Sequence, residues 1–182
     1  MTYEEIKLRL CKLRSVKGDD GKWTNPIGDV FQEAFTYLCQ KNGRVVKESS
    51  EAEDAVDHID YWVYGVGDRI PVDVKAPKHK NGVHDDFPME ILVELLNVNG
   101  YKGWLRGDSK YIIFGYDGHP DFYFLVYDRE ALLAYVESLN KDTITRNDRQ
   151  DEFLWITPPK EGLLKKIKCN KYVQKALEHN GY

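Results

Sequence analysis

The sequence contains no apolar run near the roughly 20 residues that cross a bilayer, which predicts a chain without a membrane span. Its first residues, MTYEEIKLRL, do not follow the basic-then-apolar order of a secretory leader, and a cytoplasmic setting is expected. Cysteine is scarce: Cys11, Cys39 and Cys169 are odd in number and far apart, which excludes a disulfide framework and a zinc knuckle. No internal repeat or low-complexity linker is visible. A Walker-type phosphate loop, a nucleophile elbow and an HExxH pair are all missing, so these residues offer nothing for nucleotide-driven, serine-hydrolase or zincin chemistry.

What remains is an ordinary globular composition of 182 residues, 42% apolar and 31% charged, the size of one domain spanning 1–182. The 13% aromatic content argues for a packed core. Net charge is −4 but unevenly spread. Residues 1–22 carry +2, residues 160–182 carry +4, and the middle carries −10. Basic ends around an acidic centre suit a chain that grips a polyanion with its ends and holds cations at its centre. The plainer reading is two solvated amphipathic helices.

Thr2 with Glu5 forms a capping box for a helix over 2–16. A second helix runs from Pro26, capped by Asn25, to Gly43, with Ile27, Val30, Phe31, Ala34, Phe35 and Leu38 on one face and Glu33 at its margin. Strands are expected at 44–47, 59–64, 70–76, 91–98, 111–115, 122–127 and 153–157. A helix follows a cap at Asp128, and two short helical segments fill the basic tail. The order predicts an α/β or α+β fold with a central mixed sheet flanked by helices.

The strands 59–64 and 70–76 flank Gly65-Val66-Gly67-Asp68, a hairpin turn. A hairpin symmetric about the Val66–Gly67 bond sets Asp60 opposite Asp73, their Cβ atoms about 4.5–5.5 Å apart. Two carboxylates so placed repel, and a divalent cation removes the repulsion. Mg²⁺ suits oxygen ligands, with Mn²⁺ expected to substitute. Lys75, two residues after Asp73, shares its face. Ile59, Tyr61, Val63, Val72 and Val74 form the opposite, core-facing side. Asp, Asp and Lys together give the geometry expected of a metal-assisted phosphodiester hydrolase, in which the lysine can orient water or offset developing charge. Taken singly, Asp-x-Lys is a common triplet on solvated strands.

The ordered set Glu33, Asp60 and Asp73-Val74-Lys75, followed by Glu94, Gly103-Trp104-Leu105 and YIIFG, resembles the PD-(D/E)XK nuclease superfamily, and most closely its small phage-type and prophage-type members. The superfamily includes restriction endonucleases, Holliday-junction resolvases and recombination exonucleases. The resemblance covers about residues 25–128. It implies a restriction-endonuclease-like core, with Glu33, Asp60, Asp73 and Lys75 catalytic and Asp60, Asp73, Glu33 and Glu94 around the metal. Ile59, not proline, precedes Asp60. Asp57 competes with Asp60 but falls on the opposite pleat.

Glu94 alternates with Leu92 and Leu96, where a carboxylate is costly unless paired or on a metal; an edge-strand charge is the alternative, and Glu90 is a weaker rival. Lys78, Lys80, Lys102 and Arg106 are the expected phosphate contacts, with His79, His84 and Lys110 nearby. His58 could share a face with Asp60, and Trp104 reads as core. The expected function is Mg²⁺-dependent DNA cleavage, endo- or exonucleolytic, in a bacterial host's cytoplasm, with a homodimer expected from the resemblance. The alternative is a catalytically silent nuclease fold that binds nucleic acid or a partner protein, such as a phage anti-defence factor.

Overall fold

The proline expected at a helix start and the glycine expected at its end do bound the first long helix, α1 (Pro26–Lys41), with Gly43 at φ +69°. The computed structural model describes residues 5, 8, 26–65, 67–76, 91–97, 99–118, 121–139, 145–146, 152–157 and 159–168. Asn25 and almost all of the helix expected over 2–16 lie outside these residues; Glu5 and Leu8 are helical. After α1 come β1 (Val45–Glu48), a π-helical turn (Glu53–Asp57), β2 (Tyr61–Tyr64), β3 (Arg69–Lys75) and β4 (Ile91–Leu96). A 3₁₀ turn (Trp104–Arg106) leads to β5 (Tyr111–Gly118), β6 (Asp121–Asp128), α2 (Arg129–Ser138), β7 (Thr145–Arg146), β8 (Glu152–Ile156) and β9 (Leu163–Lys168).

The fold is α+β. A six-stranded sheet in the order β1-β2-β3-β5-β6-β9 is mixed, because β3 and β5 run parallel and its other neighbours antiparallel. A second, three-stranded sheet has the order β4-β8-β7. β3 lies inside the large sheet and is covered on both faces. Val72 and Val74 pack with Val30, Phe31, Ala34 and Phe35 of α1 and with Phe124. Burying each of these valine and phenylalanine side chains contributes about 1.5–3 kcal/mol. Ile112 and Phe114 of β5 lie on the other face, in a second core with Trp104, Leu105, β4, β8 and α2. Gly115 lets β5 approach α1: a Cβ there would stand 2.1 Å from Phe31 Cδ1. Asp128 caps α2 by accepting from the Ala131 N–H at 3.0 Å.

One expectation needs correction. The basic stretch from 160 was expected to be helical, yet Leu163–Lys168 forms β9, paired with β6. Ile167 packs against the α1 core, and that contact together with the ladder outweighs local preference; residues 169–182 lie outside the described set. The strand bearing Glu94, expected at 91–98, is β4 of the small sheet, where it pairs with β8.

Candidate active site

The hairpin has the expected register, Tyr61↔Val72 through Tyr64↔Arg69. It slips at Asp60, one residue before β2. The Asp60 N–H donates to the Val72 carbonyl at 3.0 Å, and the Asp60 carbonyl accepts from the Ser49 N–H at 3.0 Å. Asp60 is therefore not the ladder partner of Asp73. Its carboxylate instead turns toward β3, where Oδ2 accepts from the Val74 N–H at 2.8 Å and from Gln32 Nε2 at 3.2 Å. Two donors fix its orientation, and it lies in electrostatic contact with Asp73.

Asp73 is 0% exposed. Its Cα partner on β5 is Ile112, so its carboxylate lies on the apolar face of the second core. Lys75 Nζ stands 2.7 Å from Oδ1, a close ion pair. Its side-chain partners are the Lys75 ammonium and the Asp60 carboxyl, and among the described residues no backbone N–H bonds to either Asp73 oxygen. Burial pushes the Asp73 carboxyl up to about 7; Lys75 opposes the rise and Asp60 adds to it. Burial alone would lower the Lys75 ammonium, but Asp73, Asp60 and Asp54 outweigh it and hold it above its ordinary value. The Lys75 side chain keeps 28% exposure and passes 5.9 Å from the centre of the Trp104 ring, so the site opens on the lysine side.

The sequence reading missed two neighbours. Gln32 is the α1 residue that bonds Asp60; an amide has no charge to draw attention to it. Asp54 comes from the π-helical turn, is coupled to Asp60 and Lys75, and is raised first by burial and then by Asp60. The acid-rich run 51–57 was the available signal.

Glu33 is half-buried on α1, within electrostatic reach of the Tyr61 hydroxyl. Glu94 is half-buried and packs against Gly103, where a Cβ would come within 2.4 Å of the Glu94 carbonyl oxygen. The glycine of the Gly-Trp-Leu segment thus lets that loop close on β4. Trp104 is core, edge-on to Phe114 with centroids 5.6 Å apart. His58 is not on a strand: at φ +53° it ends the π-helical turn, and its Nε2 donates to the Lys102 carbonyl at 2.8 Å. Lys102 is exposed beside it, and Arg106 lies 3.7 Å from Glu137. Lys78, Lys80, His79, His84 and Glu90 lie outside the described residues.

Among the described residues, no group of three or more His, Cys, Asp or Glu side chains forms a ready cage for a metal. Mg²⁺ does not need one, since it commonly takes one or two carboxylates with water and substrate phosphate. A wholly buried carboxylate beside a second carboxylate fits such an ion. No protein-family model matches the chain. No curated protein matches it either. Among solved structures, a bacterial homing endonuclease, I-Ssp6803I, is similar at 15% identity and a TM-score of 0.44, over 88% of this chain and 100% of that one.

Proposed function

We propose that this chain is a metal-dependent phosphodiester hydrolase that cuts DNA, a nuclease of the PD-(D/E)XK kind. The observation that carries the proposal is Asp73: a wholly buried carboxylate beside Asp60 and 2.7 Å from Lys75. Burying a carboxylate in an apolar layer is costly, and a structural role would be met more simply by an apolar residue.

In this reading Asp60 and Asp73 hold Mg²⁺ or Mn²⁺, and Glu33 and Glu94 supply the outer acidic shell. When bound, the ion polarises a phosphoryl oxygen and acidifies water. Gln32 and the Val74 N–H keep the Asp60 carboxylate aimed. Lys75, as a donor and a cation, orients the attacking water and offsets charge developing on the phosphate. Lys102 and Arg106, with Lys78 and Lys80, contact the DNA backbone. The protein would act in a cytoplasm, as a monomer or a homodimer.

One feature favours the alternative of a silent nuclease fold: Lys75 already supplies Asp73 with a counter-charge. A cleavage panel over duplex, nicked, branched and single-stranded DNA decides between the two. Cutting with Mg²⁺ or Mn²⁺ and none with EDTA is expected. DNA binding without cutting of any form under either metal would return the silent reading.

A further inference from the structure

The sheet face that carries the carboxylates continues beyond them as a cationic strip. Register pairs Lys47 with Trp62 and Trp62 with Pro71, so these three share a face. Alternation along β3 puts Arg69, Asp73 and Lys75 on that same face. Arg69 is four residues from Asp73, about 13 Å along the strand, and Lys47 is two strands from β3, about 10 Å across.

Arg69 is held in place without being neutralised from all sides. Its guanidinium lies 3.4 Å from the centre of the Trp62 ring. Its Nη2 donates to Glu53 Oε1 at 3.3 Å, and Trp62 Nε1 donates to that same oxygen at 3.2 Å. The Ser50 N–H (2.8 Å) and Oγ (2.9 Å) donate to Glu53 Oε2. These Ser50 bonds are the main reason the Glu53 carboxyl lies below its ordinary value. The clamp uses one nitrogen of the guanidinium, and the Arg69 side chain remains 51% exposed. Lys47 is exposed, sits 5.3 Å from the centre of the Tyr64 ring, and has no carboxylate partner among the described residues.

We propose that this strip carries the DNA strand away from the site, with Arg69 and Lys47 each contacting a backbone phosphate on one side of the scissile bond. The inference rests on the nuclease reading above and adds its binding track. A preorganised guanidinium with free donors matches a phosphate and loses little entropy on binding. The cations occupy the rings of Trp62 and Tyr64, which leaves phosphate contact, not base stacking, as the recognition. Such contacts position DNA and carry no sequence information.

The test measures binding of a labelled DNA duplex by anisotropy at several salt concentrations, in an Asp73→Asn background that cannot cut. Lys47→Ala and Arg69→Ala should each weaken binding about tenfold and reduce the salt slope by about 1. Lys166→Ala, at the opposite edge of the sheet over Tyr123, should change neither. Arg69→Ala also loosens the Glu53 clamp; Lys47→Ala has no such partner and keeps the test sound. Unchanged affinity and slope in a folded Lys47→Ala protein, or an equal loss in Lys166→Ala, would overturn the strip alone. Absence of DNA binding by the parent would overturn the nuclease reading with it.

Discussion

Lys75 and Asp73 form an ion pair at 2.7 Å in which one partner is wholly buried and the other reaches solvent. The pair sits beside Asp60, so above about pH 7, where Asp73 is ionised, two carboxylates share one ammonium and the site carries an excess of negative charge. A divalent cation would relieve that excess, and its binding must then stabilise the folded chain. Mg²⁺ and Mn²⁺ should raise the melting temperature of the wild-type protein, by roughly 2.7 kcal/mol of added stability at one hundred times the dissociation constant. Asp73→Asn should remain folded and show no such rise. A metal-induced shift of equal size in Asp73→Asn would remove Asp73 from the metal site.

The same buried carboxyl makes metal-free stability depend on pH. Its ordinary value is 3.8, and burial pushes it to about 7. Between those values the unfolded chain has released a proton that the folded chain still holds. The Asp73 contribution to stability is therefore greatest below about pH 4, falls as pH rises to about 7, and levels off above, by at most about 1.4 kcal/mol per pH unit. Denaturant titrations of wild type minus Asp73→Asn should show this fall, and saturating Mg²⁺ should abolish it by holding the carboxylate ionised. A flat difference across that window would contradict the burial argument.

Lys75→Ala separates catalysis from metal binding. An ammonium cannot ligate a cation, so calorimetric Mg²⁺ affinity should stay equal or improve slightly as a nearby positive charge is lost. Single-turnover cleavage should fall by about a hundredfold or more, the order seen when one electrostatic stabiliser is removed. A defect found entirely in metal affinity would assign Lys75 a different role.

Gly115→Ala tests the packing beneath the site. The added methyl would meet the buried Phe31 ring at 2.1 Å from Cδ1. Overpacking of this kind costs about 1–3 kcal/mol. Thermal denaturation should show that loss, while cleavage per folded molecule at low temperature stays near the wild-type rate. A neutral Gly115→Ala would mean that α1 and β5 are not packed as described.

The parts legible in the sequence were those written in local chemistry. Pro26 and Gly43 marked α1, Asp128 marked α2, and the Gly65–Asp68 turn set the register of β2 and β3. The Asp-x-Lys triplet announced that Asp73 and Lys75 share a face, and the ion pair between them follows from that alternation. What escaped depended on distant contacts. The slip at Asp60 comes from the Ser49 and Gln32 bonds, which no hairpin rule contains. The π-helical turn that brings Asp54 near is held by Glu53 through Trp62 and Arg69, residues 9 and 16 positions away. β9 reads locally as a lysine-rich tail and becomes a strand through β6.

We propose that the Asp60–Asp73 centre cuts DNA with a metal. The most direct measurement is single-turnover cleavage by wild type and Asp73→Asn, each stripped with EDTA and then titrated with Mg²⁺. Neither stripped protein should cut, wild type should recover fully as Mg²⁺ returns, and Asp73→Asn should not recover at any concentration. Cleavage by Asp73→Asn at the wild-type rate, or by wild type with EDTA still in excess, would contradict it.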